Sequence, residues 1–433
     1  MIQPPSTRSQ QGFSLIELMV ALAIGMILSL AMFAVLTTTE ARKRTITSGN
    51  DMQQAGNLAQ HVLESWIRGA GSGFSKAAAY SFGCPLMAYQ SNTQILPATA
   101  ALPAPFASVS EGTTGLFRLA PLVILPNQTT PSVSGQTSDV LVLMAGAAGT
   151  GGLPIMFNGQ SAAASLSLVT TTGMQSNDLL LLTPLNYSSG TTSTSTTSGF
   201  ASATTPNCLL TQVSSVISNS VTLDGSYHSS NLGLGSLTDN TSVNVIGNVN
   251  SNRPPQFLVI GVGDNNTLYS YDLLNTNGDS TRAAVARADG VFEMHALYGI
   301  DKDCSGTITS GEWVSPTDTT YSVANLLSGT EQEANNRPTS ASDRLAVCAS
   351  LTTGSDYLQK ILAVRVGLIM RTSLPEKDTV STGPITLFSD LGSSLTYTRT
   401  LKTDAQDATR LERHYRYQTV EFTIPLRNSL MLP

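Results

Sequence analysis

Six oxygen-bearing residues recur through one short stretch of the chain. Asp301, Asp303, Ser305, Thr307, Thr309 and Glu312 fall at positions 1, 3, 5, 7, 9 and 12 of the run Asp301 to Glu312, with Gly306 at position 6 and Ile308 at position 8. Calcium takes six to eight oxygens, and this spacing wraps side-chain oxygens and the Thr307 carbonyl around one point. Glycine permits the sharp turn, and a closing Glu binds through both oxygens. Only Asp301, Asp303 and Glu312 are ionised and position 5 is a serine, so the expected affinity lies toward ~10⁻⁴–10⁻³ M. The residues before the loop, Phe292 to Ile300, read as strand rather than helix. An isolated loop that stiffens a turn is therefore expected, without a helix pair that opens as a switch. The plain alternative is an Asp/Ser/Gly turn that holds no metal.

A second chemical oddity lies near the amino terminus. Phe13 to Leu36 is an apolar segment whose only charge is Glu17. As a helix it spans about 36 Å at ~1.5 Å per residue, enough for a ~30 Å hydrocarbon core. A carboxylate there costs about 2.5–3.5 kcal/mol on insertion scales, so it needs a partner. An amine exposed by cleavage before Phe13 would supply one, and the first helical turn itself favours negative charge. The rival reading is a signal anchor whose Glu merely sits near the interface. Gly12–Phe13 is a better cleavage point than the loose Ala21-Leu22-Ala23 match, which only a short apolar stretch precedes.

The string Gly12-Phe13-Ser14-Leu15-Ile16-Glu17-Leu18-Met19-Val20 resembles the type III signal of type IV pilins and pseudopilins. In that family a membrane aspartic peptidase cuts after the Gly and the new amino-terminal Phe is methylated. Gly12 would then be the last leader residue, Phe13 the mature amino terminus, and Glu17 the residue that pairs with a neighbouring subunit's amine during assembly. Further along, Gly290 to Asp301, Leu362 to Arg371 and Ile424 to Asn428 resemble PilW-type minor pilins in particular. The resemblance implies a minor pilin that primes assembly of type IV pili and enters them near the tip, supporting biogenesis, adhesion and twitching motility. It implies other minor pilins, the major pilin, a prepilin peptidase, an inner-membrane assembly platform and a tip adhesin as partners. It also implies a Gram-negative inner-membrane location with a periplasmic head, then the fibre. A minor pseudopilin of a type II secretion system shares the signal and is the alternative. Arg42, Lys43 and Arg44 follow the apolar segment; by the positive-inside rule alone they would place the head in the cytoplasm, against the resemblance.

The elements that must carry these residues follow from periodicity. From Glu40 to Arg68, Met52, Ala55, Ala59, Val62, Leu63 and Trp66 recur at helical steps. Joined to the apolar segment they predict one helix of about 56 residues, roughly 84 Å long, weakened at Gly25, Gly49 and Gly56 and ended by Gly69 to Gly73. Beyond it, short apolar runs predict strands over 139–144, 178–182, 257–262, 361–370 and 419–424. Asn-Gly at 158–159 and Asp-Gly at 224–225 and 289–290 mark turns. Residues 188–205 are nearly all Ser, Thr, Gly and Ala, and read as a flexible surface loop. The fold class is α+β: a long pilin helix packed on a large antiparallel β-rich head. Its parts are a cleaved leader 1–12, a transmembrane and filament-core helix 13–36, an amphipathic continuation 37–70, and head parts 71–256 and 257–433.

Four cysteines, Cys84, Cys208, Cys304 and Cys348, lack the spacing of a zinc site. An even number suggests two disulfides in an oxidising compartment; of three connectivities, Cys304–Cys348 with Cys84–Cys208 is favoured because it ties down the shorter loop. The alternative is buried free thiols. His61, His228, His295 and His414 form no HExxH and no nucleophile motif, so no enzyme is expected. Only 12% of residues are charged, and Lys+Arg 23 against Asp+Glu 29 gives a net charge of −6. That argues against a broad nucleic-acid-binding face, and one apolar span excludes a polytopic membrane protein.

Overall fold

In the computed structural model the described residues are 12, 14–75, 82–109, 115–131, 136–146, 154–158, 162, 164–184, 208–234, 237, 241–252, 254–276, 281–328, 348, 354–407 and 409–430. Phe13, Gly159 and the Ser/Thr-rich stretch 188–205 lie outside them. The chain divides into two compact units, Met1–Asp51 and Met52–Pro433.

The helix Leu15–Gly69 is continuous over 55 residues, so Gly25, Gly49 and Gly56 weaken it without breaking it. Within the second unit its apolar stripe is buried: Met52, Ala59, Leu63 and Ile67 join the main core, while His61 faces solvent. A Cβ on Gly56 would lie 3.3 Å from Val420 Cγ2 and 3.5 Å from Met370 Cγ. The glycine thus lets the helix backbone approach the sheet closely.

That sheet has four strands in the order Trp313–Val314, Val291–Ile300, Ile361–Arg371, Tyr417–Pro425, all antiparallel. Val364, Val366 and Leu368 pair with Ile424, Phe422 and Val420, so one face is a continuous apolar surface. The period-2 pattern of the last strand required this: its apolar residues alternate with polar ones. The other face buries Phe292, Leu297, Ile369, Leu387 and Phe388 beneath a hairpin made of Ile385–Leu387 and Tyr397–Arg399.

A five-stranded antiparallel sheet comes next, ordered Val285–Asp289, Thr267–Asp272, Gln256–Gly263, Ser138–Ala145, Leu122–Gln128. An eight-stranded sheet comes from residues 86–248 and adds a second apolar core around Leu180, Leu182 and Val243. In it Leu86–Gln90 runs parallel to Cys208–Ile217, and the disulfide Cys84–Cys208 closes beside that pair, with Cα atoms 5.8 Å apart. The long amino-terminal helix and β-rich head make this an α+β protein. All five apolar runs singled out in the sequence lie in strands.

Candidate metal centre

Strand Val291–Ile300 is buried along its whole length and ends at Asp301, which is only 4% exposed. The Asp301 amide donates to the Lys360 carbonyl at 2.9 Å, fixing the loop to the start of strand Ile361–Arg371. The chain then turns back. Gly306, at φ +81°, takes the left-handed conformation that glycine accepts without penalty, and its amide donates to Asp301 Oδ2 at 2.9 Å. Ile308 is the loop's inward anchor: a Cβ on Gly299 would lie 3.2 Å from its Cγ1 and Cγ2 and from the Trp313 ring.

Three carboxylates converge. Asp301, Asp303 and Glu312 each offer an oxygen, and these atoms lie within 4.8 Å of one another. Ser305 donates its amide to Asp303 Oδ1 at 2.9 Å, and its hydroxyl lies 3.2 Å from the Thr307 carbonyl. Glu312 closes the loop: Oε1 accepts the Lys302 amide at 2.8 Å, and Oε2 accepts the Thr309 amide at 2.8 Å and hydroxyl at 2.9 Å. Burial pushes the Glu312 carboxyl up, but the amides and hydroxyl aimed at it outweigh that and hold it below its ordinary value. The Ser305 side chain and amide hold Asp303 low as well. Both groups therefore remain anionic at neutral pH.

One atom is left over. Asp301 Oδ1 is buried and has no hydrogen-bond partner among the described residues. A buried, unpaired carboxylate oxygen is costly unless a cation or donor meets it. Burial pulls the Lys360 amine down, against the nearby Asp301 charge, which raises it. The donors are all oxygen, which suits a hard cation and not zinc or copper. The site therefore fits a metal ion. Cys304, at position 4 of the loop, is disulfide-bonded to Cys348 with Cα atoms 5.8 Å apart.

The amino-terminal residues are of a different kind. Glu17 lies in the first turn of its helix. The side chains around it are open: Leu15, Ile16, Leu18, Met19 and the large apolar residues that follow as far as Leu36 are exposed. The best 18-residue window of the helix has a mean hydropathy of 2.6 with none of it buried. Within its apolar half, Ser29 donates to the Gly25 carbonyl at 2.8 Å, and just beyond it Thr39 donates to the Val35 carbonyl at 2.8 Å, as a helix in hydrocarbon requires. Arg42, Lys43 and Arg44 follow the apolar half of the helix and are exposed.

A buried ionic network escaped sequence reading. His295 Nδ1 lies 3.6 Å from Asp139 and Nε2 lies 3.5 Å from Glu293, while Tyr397 stacks on the imidazole at 3.6 Å and donates to Glu293 at 2.8 Å. Arg399 bridges Glu293 at 2.9 Å and Glu412 at 3.0 Å. Burial would lower the imidazole, but the two carboxylates raise it to about 9. The available signal was Glu293 and His295 alternating within an otherwise apolar strand, which puts two ionisable groups on one buried face.

Residues 257–428 match the family model for type IV pilus-assembly protein W, and residues 7–33 match the prokaryotic N-terminal methylation motif. Both agree with the resemblance drawn from the sequence. No curated protein and no solved structure matches the chain. Loop 301–312 and the four-stranded sheet fall inside the first match; residues 34–256 fall outside both.

Proposed function

From a methylation motif at the amino terminus and a type IV pilus-assembly protein W region in the same chain, we infer that the protein is a minor pilin. In this reading it is cut between Gly12 and Phe13, methylated at Phe13, and held in the inner membrane by the apolar half of its helix. It then enters the filament with Glu17 against a neighbour's amine. Outside lipid the exposed apolar surface from Leu15 to Leu36 would be intolerable in a monomer; a membrane and then a bundle of like helices each cover it. The eight-stranded addition from residues 86–248 makes a bulky head, which suits a rare position near the tip, priming assembly, over a repeating one.

The loop of Asp301, Asp303, Ser305, Thr307, Thr309 and Glu312 is the proposed calcium site. Its support is that Asp301, whose buried Oδ1 has no hydrogen-bond partner among the described residues, brings its carboxylate together with two others. Calcium there would pin the junction of strands Val291–Ile300 and Ile361–Arg371.

The discriminating experiment is deletion of the gene. Loss of surface pili and of twitching, with exoprotein release intact, is expected; the reverse pattern would make the protein a pseudopilin of a secretion system.

A further inference from the structure

The metal loop is fastened to the rest of the head at few points. Asp301 is tied through its amide to the Lys360 carbonyl, and Ile308 packs on Gly299 and Trp313. Between those anchors, Lys302, Asp303, Ser305 and Thr307 are exposed, so the oxygens at positions 3, 5 and 7 gain little from packing. Inside this span the Lys302 amine lies 5.9 Å from the centre of the Tyr321 ring, and the covalent attachment is Cys304, bonded to Cys348 across a sequence separation of 44 residues. Cys304 stands directly between Asp303 and Ser305. Its backbone is left-handed, φ +62°, a region that a residue with a β-carbon leaves unless held.

Resting on the calcium reading above, we propose that the Cys304–Cys348 disulfide sets the calcium affinity of the loop. With the bond formed, Cys304 is held in its left-handed turn and the flanking ligands point at Asp301 before the ion arrives. With the bond broken, the ion must order positions 302–307 itself. Preorganising two exposed ligand side chains is worth roughly tenfold in affinity. The bond forms by thiol–disulfide exchange with a disulfide-bearing oxidant. One thiolate attacks the oxidant's disulfide to give a mixed disulfide, and the second cysteine displaces the oxidant as a dithiol. Two electrons and two protons thus pass from the cysteines to the oxidant, and a dithiol reductant runs the same exchange backwards.

Coupling of this kind is reciprocal. If oxidation tightens calcium tenfold, calcium makes the disulfide tenfold harder to reduce, about 30 mV for a two-electron couple. The head would then bind calcium well only after reaching an oxidising compartment, and the ion would afterwards protect the bond. The other disulfide, Cys84–Cys208, fastens a strand pair in a different sheet and should not affect the loop.

The test uses the full-length protein in detergent, titrated with calcium chloride by calorimetry. The dissociation constant should rise about tenfold in Cys348→Ser and stay unchanged in the double variant Cys84→Ser, Cys208→Ser. Because a cysteine variant can misfold, a second measurement uses the unaltered protein: its dithiol titration midpoint should fall by about 30 mV in calcium relative to magnesium. Equal affinity in the oxidised protein and in folded Cys348→Ser, or a midpoint indifferent to calcium, overturns the coupling and leaves the calcium site standing. Absence of calcium binding by the oxidised protein overturns the calcium reading itself.

Discussion

Asp301 and His295 are buried ionisable residues at opposite ends of an argument about unpaired charge. Asp301 carries a buried oxygen with no partner among the described residues, so neutralising it should cost little stability while removing the most buried of the proposed ligands. Asp301→Asn is predicted to abolish millimolar calcium heat in calorimetry of the full-length protein, with its metal-free melting temperature nearly unchanged; retained binding would exclude the site. His295 is the reverse, a cation between two carboxylates. Its folded-state value, about 9, lies above the ~6.5 of an unfolded chain. Its contribution is therefore fully present below pH ~6.5 and is lost as pH rises through 9, on the order of 3 kcal/mol in all. Thermal melts of the unaltered protein should fall between pH 7 and 10 more steeply than those of His295→Gln, and parallel curves would contradict the assignment. Burial and the Glu293 charge push the Tyr397 phenol far above its ordinary value, so it stays a donor to Glu293 throughout that range.

At the scale of elements, the helix-to-sheet contact turns on Gly56, whose missing side chain leaves room for Val420 and Met370. Gly56→Leu should weaken chemical unfolding of the head by about 1–3 kcal/mol through overpacking. Gly49→Leu, with open space around its α-carbon, should have little effect; equal losses in both would mean the helix does not pack as described. The helix and the last strands were legible because their periods are clean, 3.6 in Met52 to Trp66 and 2 in Val420 to Ile424. The first half of the head was legible only at 139–144 and 178–182. Strand Thr241–Asn248 buries Thr241, Ser242 and Asn244, and Cys208–Ile217 buries Thr211 and Gln212 and carries a register shift near Val213. Buried polar residues and bulges erase the alternation that sequence reading depends on. The parallel pairing of Leu86–Gln90 with Cys208–Ile217 joins segments more than a hundred residues apart, which no local pattern announces. The convergence of Asp301, Asp303 and Glu312 was legible because their spacing is local, whereas the His295 network draws Asp139, Glu293, Arg399 and Glu412 from distant parts of the chain and was not.

On the scale of the whole molecule, every functional statement depends on what happens at Gly12. An uncut chain keeps its leader in front of the apolar helix and leaves Glu17 without an amine four residues away. A cut chain would carry a cation four residues before the Glu17 carboxylate, and an apolar rod able to exchange lipid for other rods. The two forms differ in mass and in first residue. The decisive measurement is mass spectrometry of the amino-terminal peptide from protein recovered in sheared filaments. The account predicts a peptide beginning at N-methylated Phe13; a protein that still begins at Met1, or one never found in the filament fraction, would contradict it.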